Sequence, residues 1–405
     1  MTQKTPFQTT ELIEFAGQHA ELLLCELLAA PSINPPGNED VAAEKLAAFL
    51  KGFGIDFEQQ YVEPQRPNLL AAVGPGGAVP SIALCSHLDV VDPGDPTAWT
   101  GDPFVPRLAG DRIYGRGACD AKASLTAMAL VLAFFACRPE PLPGRLVLAA
   151  VAGEERGGIG SKYLMQSGFR ADAAIIGEPT NLGIALGHKG RIQVEVVIHG
   201  RAGHASKPES AVNPVDSLTG VLESLSALSG RVAQRYHPFV GTASLVVTRI
   251  RTGSTNAATI PGQVILTLDR RLVPTETHDT AGVEIQEALS HLEQVHVEWC
   301  CGAYPALQER THPLVSAARA SAKGMDVRLV EFPATCDQYI WLGSGIPTLT
   351  LGPGDISLNH VHGVDEYIEL EDILAATVIY ARTAWLFLNS FSTGQTVHTE
   401  ELPSN

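Results

Sequence analysis

The pattern of apolar and polar positions changes twice along this chain, and the changes divide it into three segments. In the first segment, continuous apolar runs at 81–85, 145–152 and 173–176 are separated by stretches with helical periodicity, the most apolar of which covers 121–137. Short apolar runs between helices are typical of parallel strands that are buried on both faces. The first segment therefore predicts an α/β sheet.

The middle segment, 187–300, has a different period. Alternate residues from Ile192 to Ile198 are apolar and their neighbours are polar, as in a strand with one face exposed to solvent. A helix, two strands, a second helix and a last strand follow in the pattern, and this βαββαβ order is that of the ferredoxin-like unit. After it the chain returns to α/β character. We therefore predict a discontinuous α/β domain formed by 1–186 and 301–405, with a smaller ferredoxin-like domain inserted in it.

Composition excludes several classes of protein. The chain of 405 residues has 28 Lys and Arg against 44 Asp and Glu, a formal net charge of −16, and no basic run interrupts the acidic excess. Nucleic acids and anionic membrane surfaces are therefore not expected partners. The longest apolar run, 127–137, has 11 residues, well below the roughly 20 that a membrane helix needs. The N-terminus lacks the pattern of a signal peptide, so we expect a cytoplasmic location.

Cysteine spacing gives no sign of cross-links. The seven Cys residues include one adjacent pair, Cys300 and Cys301, and no C-x-x-C spacing. An odd number without such spacing indicates neither a disulfide framework nor a thiolate zinc site. We expect reduced thiols.

Acidic and imidazole side chains follow the predicted buried strands at the point where each strand ends. His87 and Asp89 follow the first of these strands, Glu154 and Glu155 follow the second, and Glu178 follows the third. Ligands of α/β proteins bind at the carboxyl ends of parallel strands. Because adjacent side chains diverge in an extended chain, one of the two adjacent glutamates can ligate a metal while the other serves as a general base. A solvated acidic turn is the alternative reading of that pair.

Two further groups complete the candidate set. Asp120 precedes the apolar helix, where it could also be a simple N-cap. His360, His362 and Glu366 follow a Gly-Pro-Gly sequence late in the chain. Imidazole and carboxylate ligands suit zinc or a similar divalent ion. Two such ions would balance three carboxylates and a bridging hydroxide, so the charges favour a pair of ions.

Six motifs resemble, in order and spacing, those of a known family. They are SHLDVV, GRGACDAK, GEER, GEPT, GRAGHASKP, and GPG followed by HGVDEY. From about residue 10 to residue 385 the chain resembles the acetylornithine deacetylase and succinyl-diaminopimelate desuccinylase family of di-zinc amidohydrolases, whose relatives include aminoacylase and glutamate carboxypeptidase. The resemblance implies a mixed-sheet di-zinc peptidase-like catalytic domain with a ferredoxin-like lid domain. It also implies a small-molecule substrate, an N-acyl amino acid or a dipeptide, and a homodimer formed through the lid.

The same resemblance assigns five ligands to two zinc ions, for which cobalt can substitute. His87 and Glu178 hold one ion. Glu155 and His362 hold the other, and Asp120 bridges the two. These assignments are the resemblance's implication for this chain.

One ligand required a choice between neighbours. His362 is preferred over His360 because the family's ligand stands four residues before a glutamate, which here is Glu366. By the same likeness Asp89 orients His87.

The resemblance also assigns residues to the substrate. Glu154 is the general base, and His204 of the inserted domain donates a hydrogen bond to the oxyanion, in relatives usually across a dimer interface. Arg271 grips the substrate carboxylate. The loop from Gly352 to Gly354 adds backbone contacts.

Two family positions are less well matched. Asn256 is a substrate-binding candidate, but relatives place their asparagine two residues closer to the proline that is Pro261 here. Asp337 matches a recurrent family position without an assigned chemistry.

Three other functions remain as alternatives. A dipeptidase or carboxypeptidase of the same family differs from a deacylase only in pocket shape. A catalytically inactive relative would bind a small molecule without turning it over, and it would be expected to lack a ligand or the base. A serine hydrolase is disfavoured because the sequence has no G-x-S-x-G elbow.

Overall fold

A computed structural model describes residues 7–254, 256–322, 325 and 327–393 of the chain. The predicted segments 1–186 and 301–405 thus begin and end outside the described residues. The described residues form two compact units. The first comprises the chain up to Leu186, Gln308–Val330 and the chain from Cys336 onward; the second comprises Gly187–Leu307 and Glu331–Thr335.

Helices and strands alternate along the described residues. The α-helices are α1 (Thr9–Leu28), α2 (Asp40–Gly52), α3 (Lys122–Ala136), α4 (Ile159–Gln166), α5 (Leu218–Val232), α6 (His278–Leu289), α7 (Pro313–Ser321), α8 (Gln338–Gly343) and α9 (Leu370–Thr393). The strands are β1 (Phe57–Glu63), β2 (Arg66–Val73), β3 (Ser81–His87), β4 (Arg107–Ala109), β5 (Arg112–Tyr114), β6 (Arg145–Val151), β7 (Ala173–Ile176), β8 (Ile184–His188), β9 (Gly190–His199), β10 (Gly203–His204), β11 (Tyr236–His237), β12 (Gly241–Thr242), β13 (Ser244–Thr252), β14 (Thr259–Ile260), β15 (Gln263–Leu272), β16 (Val295–Ala303), β17 (Ala306–Leu307), β18 (Leu329–Phe332), β19 (Thr348–Thr350) and β20 (Tyr367–Glu369).

The first unit is built on a mixed sheet. Its strands follow the order β1-β2-β6-β3-β7-β19-β8. The central neighbours β6, β3, β7 and β19 are parallel, while β1, β2 and β8 pair antiparallel at the two sides. The predicted α/β class with a mixed sheet is confirmed.

Buried apolar side chains explain the centre of this sheet. Ile82 and Leu84 of β3 and Leu146 and Leu148 of β6 are fully buried. Helices α1, α3 and α9 pack against one another, and α3 is buried along its length except at its last residue. A helix that is apolar all round belongs in a protein interior, which is where α3 lies.

The outer hairpin β1–β2 was not predicted from the sequence. Strand β1 has no buried residue, so no hydrophobic alternation identifies it. Its position comes from pairing with β2, which in turn pairs with β6.

Helix α9 contains the one described stretch that is long and apolar enough to cross a membrane. The stretch Leu370–Phe391 has a mean hydropathy of 1.2, and 61% of it is buried inside the fold. It packs against α1, α3 and α7. These contacts are those of a core helix of the first unit.

The second unit has the predicted βαββαβ order. Strands β9, β13, β15 and β16 form an antiparallel sheet in the order β13-β15-β9-β16, with β13 and β16 at its edges. Helices α5 and α6 cover one face, and the apolar residues of that face form one core cluster. The other sheet face carries polar side chains.

Candidate active site

The parallel strands of the first unit end at one edge of the sheet, and the candidate residues begin there. The last residue of β3, His87, pairs with the last residue of β6, Val151. Strand β7 ends at Ile176, in register with Cys85. The turns that follow β3, β6 and β7 therefore lie side by side.

His87 is buried between two carboxyl groups. Its Nε2 atom lies 3.1 Å from Asp120 Oδ1, and its Nδ1 atom lies 2.8 Å from the carbonyl oxygen of Asp89. Burial alone lowers the pKa of His87, but the hydrogen bonds to Asp120 and Asp89 outweigh burial and raise the pKa well above its ordinary value. The bond on Nδ1 orients the ring and directs Nε2 toward Asp120.

Asp89 is fully buried and ties two turns together. Its carboxylate accepts hydrogen bonds from Asn34 Nδ2 at 2.8 Å, from the Glu154 amide at 3.1 Å and from the Glu155 amide at 3.2 Å. Burial raises the pKa of Asp89, but the hydrogen bonds with His87 and Asn34 reverse this, so the net pKa lies below its ordinary value. Asp89 thus stays ionised and holds the turn that carries both glutamates.

Glu154 and Glu155 lie on a short 3₁₀ turn between left-handed glycines. Gly153 has a φ of 73° and Gly157 a φ of 99°, a conformation that glycine adopts without strain. The two glutamate side chains diverge into different groups. Ligand atoms of Glu154, His87 and Glu178 lie within 4.8 Å of one another, and so do those of Glu155, His87 and Asp120.

His362 joins the second of these groups. Its Nε2 atom lies 3.2 Å from Glu155 Oε1 and 3.3 Å from Asp120 Oδ2. These hydrogen bonds, that to Asp120 first, raise the pKa of His362 to about 10. His360 Nδ1 instead lies 3.2 Å from the carbonyl oxygen of Val364. Of the two neighbouring histidines, the structure brings His362 to the carboxylates.

Glu178 carries the clearest sign of a missing partner. It is buried, and its Oε1 atom has no hydrogen-bond partner. Burial and the charge of Asp120 raise the pKa of Glu178 well above its ordinary value, and burial and the charge of Glu178 do the same for Glu154. A buried carboxylate oxygen without a partner is costly. The donor set therefore fits divalent cations, which take imidazole nitrogen and carboxylate oxygen ligands.

Glu366 holds the loop that presents Asp120, a role the sequence analysis missed. Strand β5 pairs antiparallel with β20 from Tyr114 to Tyr367, so the residues after β5 lie beside Glu366. The Glu366 carboxylate accepts the backbone N–H groups of Cys119 at 2.9 Å and of Asp120 at 3.0 Å and forms a buried ion pair with Arg116. The sequence indicates Glu366 as a candidate acidic residue and as the spacing reference for His362, and the arginine of the GRGACD motif is the signal for this ion pair.

Two other buried charges support neighbouring segments. Lys122 donates to the carbonyl oxygens of Leu27 and Ala30, each at 2.8 Å, and burial lowers the pKa of Lys122 to about 7. Asp337 accepts a hydrogen bond of 2.5 Å from Ser161 Oγ, in the first turn of α4, and burial raises the pKa of Asp337 to about 6. Asp337 thus contacts the helix that follows the glutamate turn.

The loop that contains Gly352 and Gly354 bonds to the turn after Glu178. The Gly352 amide donates to Thr180 Oγ1 at 3.0 Å, and the Gly354 carbonyl accepts the Asn181 amide at 2.6 Å. This loop therefore holds the segment that carries Glu178.

The remaining candidates lie in the second unit. His204 is exposed on β10, and its Nδ1 atom accepts the Ser206 amide at 3.1 Å. A backbone N–H can only donate, so Nδ1 is unprotonated and a neutral His204 carries its proton on Nε2. Asn256 is also exposed, and its Oδ1 atom accepts the Ala258 amide at 2.9 Å.

Arg271 lies in a cluster on the open face of the sheet. Its Nε atom donates to Asp269 at 2.7 Å, and its Nη1 atom lies 3.4 Å from Thr335 Oγ1. Arg191 donates to the same aspartate at 2.7 Å. Two guanidinium groups thus share one carboxylate, which leaves positive charge for an anionic group. Arg270, in contrast, is buried and bound to Glu276.

Comparison with known sequences gives a family and relatives. The model of the family described as "Peptidase family M20/M25/M40" matches residues 83–386 of this chain. The succinyl-diaminopimelate desuccinylase of Bordetella parapertussis is 30% identical over 377 residues, covering 89% of this chain and 96% of that protein. The enzyme of the same name from Gluconacetobacter diazotrophicus is 31% identical over 390 residues, covering 90% and 96%.

Comparison with solved structures gives the same fold. An M20 family metallo-carboxypeptidase from Sulfolobus solfataricus matches with a TM-score of 0.76 at 20% identity, covering 92% of this chain and 99% of that one. A tripeptidase from Staphylococcus aureus matches with a TM-score of 0.75 at 20% identity, covering 92% and 98%. At this identity the match concerns the fold alone.

Proposed function

Because the chain belongs to peptidase family M20/M25/M40, as its motifs indicate, we propose that it is a deacylase, which removes a small acyl group from the amino group of an amino acid. The coarser class, a metal-dependent hydrolase of amide bonds in N-acyl amino acids, follows from the family and the desuccinylase relatives. N-succinyl and N-acetyl amino acids are the substrates we propose first. The names of the relatives, which are succinyl-diaminopimelate desuccinylases, support a succinyl group as the acyl group of the substrate.

The observation that carries the proposal is the convergence of two triads on His87. Ligand atoms of Glu154, Glu155, Glu178 and Asp120 approach it within 4.8 Å in two groups. Four carboxylates against two imidazoles need positive charge, and Glu178 Oε1 lacks a partner. We propose two zinc ions, replaceable by cobalt, with His87 and Glu178 on one, Glu155 and His362 on the other, and Asp120 between them.

The ions would supply Lewis acidity toward the amide carbonyl and a lowered pKa for water. We propose that Glu154 then accepts the proton of the attacking water and passes it to the leaving nitrogen. Burial and the charge of Glu178 raise the pKa of Glu154, and a carboxyl group with a raised pKa can take up and release a proton near neutrality. Asp89 contributes by holding both His87 and the Glu154 turn.

Residues of the second unit provide the proposed substrate contacts. The Nε2–H group of His204 is suited to donate to the carbonyl oxygen as negative charge develops on it. Arg271, with Arg191 beside it, is suited to bind the substrate carboxylate. Asn256 of this unit, and the loop of the first unit that contains Gly352 and Gly354, remain candidates for further contacts.

The assembly and location are also proposals. Strand β13 is a sheet edge on which Val246 is 52% and Ile250 is 48% exposed, and the backbone groups of an edge strand that have no partner strand can pair with a second copy. We propose a homodimer through this unit, which light scattering at several concentrations tests; a monomer at all of them would contradict it. All seven cysteines are free thiols, which supports a reducing, cytoplasmic location.

The test is a substrate panel. Protein reconstituted with zinc or cobalt is assayed on N-succinyl, N-acetyl and N-formyl amino acids and on dipeptides, with release of free amine as the signal. We expect cleavage chiefly of the acyl amino acids and none after chelation. Preferential cleavage of dipeptides would replace the deacylase with a dipeptidase or carboxypeptidase. The absence of any turnover with both ions bound would indicate an inactive binding relative.

A further inference from the structure

Two adjacent cysteines lie at a β-bulge on the edge strand β16. Before the bulge, Val297 pairs with Val196 and Trp299 with Val194. Both partner valines are fully buried beneath the helices. Because side chains alternate along a strand, Cys300 therefore points to the opposite, open face of the sheet.

The bulge turns the next residue to the same side. The register shifts between Trp299 and Cys301, and Cys301 pairs with Gln193. The neighbours of Gln193 on its own strand, Ile192 and Val194, are buried in the core, so Gln193 and Cys301 both lie on the open face. The bulge thus places two consecutive thiols on one face, which a regular strand does not do.

Both thiols are accessible and close to polar groups. Cys300 and Cys301 are exposed, and Cys301 Sγ lies 3.3 Å from Gln193 Oε1. Cysteine is among the most frequently buried residue types, and Cys85, Cys119 and Cys336 follow that rule here. Desolvation, followed by the nearby Glu195 and Cys301 side chains, raises the pKa of Cys300.

The geometry disfavours a disulfide between them. Adjacent Cα atoms across a trans peptide are about 3.8 Å apart, whereas disulfides span roughly 4.4 to 6.8 Å between Cα atoms. A soft ion relaxes this limit, because two metal–sulfur bonds of about 2.3 Å separate the sulfurs more widely than one S–S bond does. The pair is therefore better suited to chelation than to oxidation.

We propose that Cys300 and Cys301 form a bidentate thiol site for a soft, thiol-seeking ion, separate from the carboxylate cluster of the first unit. Trivalent arsenic is the most specific probe of this site, because its stable adduct requires two neighbouring thiols. With phenylarsine oxide two S–H bonds and the As–O bond break, two As–S bonds form and one water leaves. Arsenic stays trivalent, so the step needs no oxidant or reductant.

The test uses the full chain with its metal ions bound. After treatment with one equivalent of phenylarsine oxide, intact-mass spectrometry should show the mass of one phenylarsine oxide gained less one water, that is, one phenylarsenic group gained and two thiol hydrogens lost; a dithiol should reverse this change and a monothiol should not. Cys300→Ser and Cys301→Ser should each abolish the stable adduct. The matched control is Cys137→Ser, which removes an exposed cysteine that has no cysteine neighbour and should leave the adduct unchanged.

A second measurement separates binding from folding. Cadmium titration should produce sulfur-to-cadmium charge-transfer absorption that both serine variants lose, while their amide hydrolysis stays at the level of the unchanged protein. An adduct that survives in either variant, one that is lost in Cys137→Ser, or a pair already oxidised in the purified protein would overturn the proposal. Normal hydrolysis by the variants would show that an adduct was not lost through misfolding.

Discussion

The charged side chains of the two units differ in burial and in pairing. At the strand ends of the first unit, Asp120, Glu154, Glu155 and Glu178 crowd around two imidazoles, and one buried carboxylate oxygen has no partner. On the open sheet face of the second unit, charges are largely paired, as Arg251 is with Glu195. Buried excess charge requires counter-ions, whereas partly exposed, loosely shared cations can exchange a partner for a substrate. The contrast supports the proposal that the first unit binds the metal ions and the second unit contributes substrate contacts.

The largest effect on turnover is expected from substitution of Glu154, whose side chain diverges from that of the adjacent Glu155. Glu154→Gln should retain both ions and reduce turnover about 10²- to 10⁴-fold, the range for a lost general base. The matched variant Glu155→Gln should lose metal, because a Glu155 carboxylate oxygen lies within 4.8 Å of ligand atoms of His87 and Asp120 and Glu155 Oε1 lies 3.2 Å from His362 Nε2. Elemental analysis measures the metal content of each variant, and the amide-hydrolysis assay measures its turnover. Metal loss in the first variant and retention in the second would exchange the two roles.

A smaller effect is expected from the second unit. His204→Ala should lower kcat about 10²- to 10³-fold, as for one oxyanion donor, without changing metal content or Tm because His204 is exposed. His199→Ala, which removes another exposed histidine of this unit, is the control and should keep normal turnover. Equal turnover in both variants would remove His204 from the reaction.

Arg271 shares the Asp269 carboxylate with Arg191. Its proposed role in substrate binding can therefore be tested. Arg271→Ala should lower kcat/KM about 10- to 100-fold for substrates with a free carboxylate, since a charged hydrogen bond contributes about 1.5–3 kcal/mol. Substrates whose carboxylate is amidated should show little difference between the variant and the unchanged protein. Arg251→Ala is the control, because Arg251 is already paired with Glu195. An equal loss for amidated substrates would assign Arg271 a structural role.

The smallest effect concerns the stability of the metal-free protein. His362 has a pKa of about 10 in the fold against about 6.5 when free, so the folded state holds more protons between these values and its free energy of unfolding falls as pH rises. The raised pKa values of His87, Glu155 and Glu178 act in the same direction above their ordinary range. The pKa of Lys122, lowered to about 7, acts in the opposite direction above pH 7, but it is one group against four. The lowered pKa of Asp89 affects the free energy of unfolding only at acidic pH.

Differential scanning fluorimetry measures this dependence. After chelation, Tm should fall by several degrees between about pH 6 and pH 9. With zinc present the decline should be weaker, because bound ions replace the protons. A Tm that rises with pH in the chelated protein would contradict the assigned excess of carboxylate charge.

The sequence alone determined the central elements of both units and the chemistry at the strand ends. Continuous apolar runs predicted the central parallel strands, and alternation from Ile192 predicted the inserted antiparallel sheet. Both periods are local properties of the chain. Motif order indicated the family, which the comparisons confirm.

Only the tertiary structure decided which side chains meet. Asp89 binds amides 65 and 66 residues away, and Glu366 binds amides almost 250 residues away. It also placed Glu154 and Glu155 in different groups and His362 rather than His360 beside Asp120, a choice that the family resemblance had indicated and the local pattern had not. Such contacts depend on strand register and on turns between distant segments, for which local hydrophobic periodicity carries no signal.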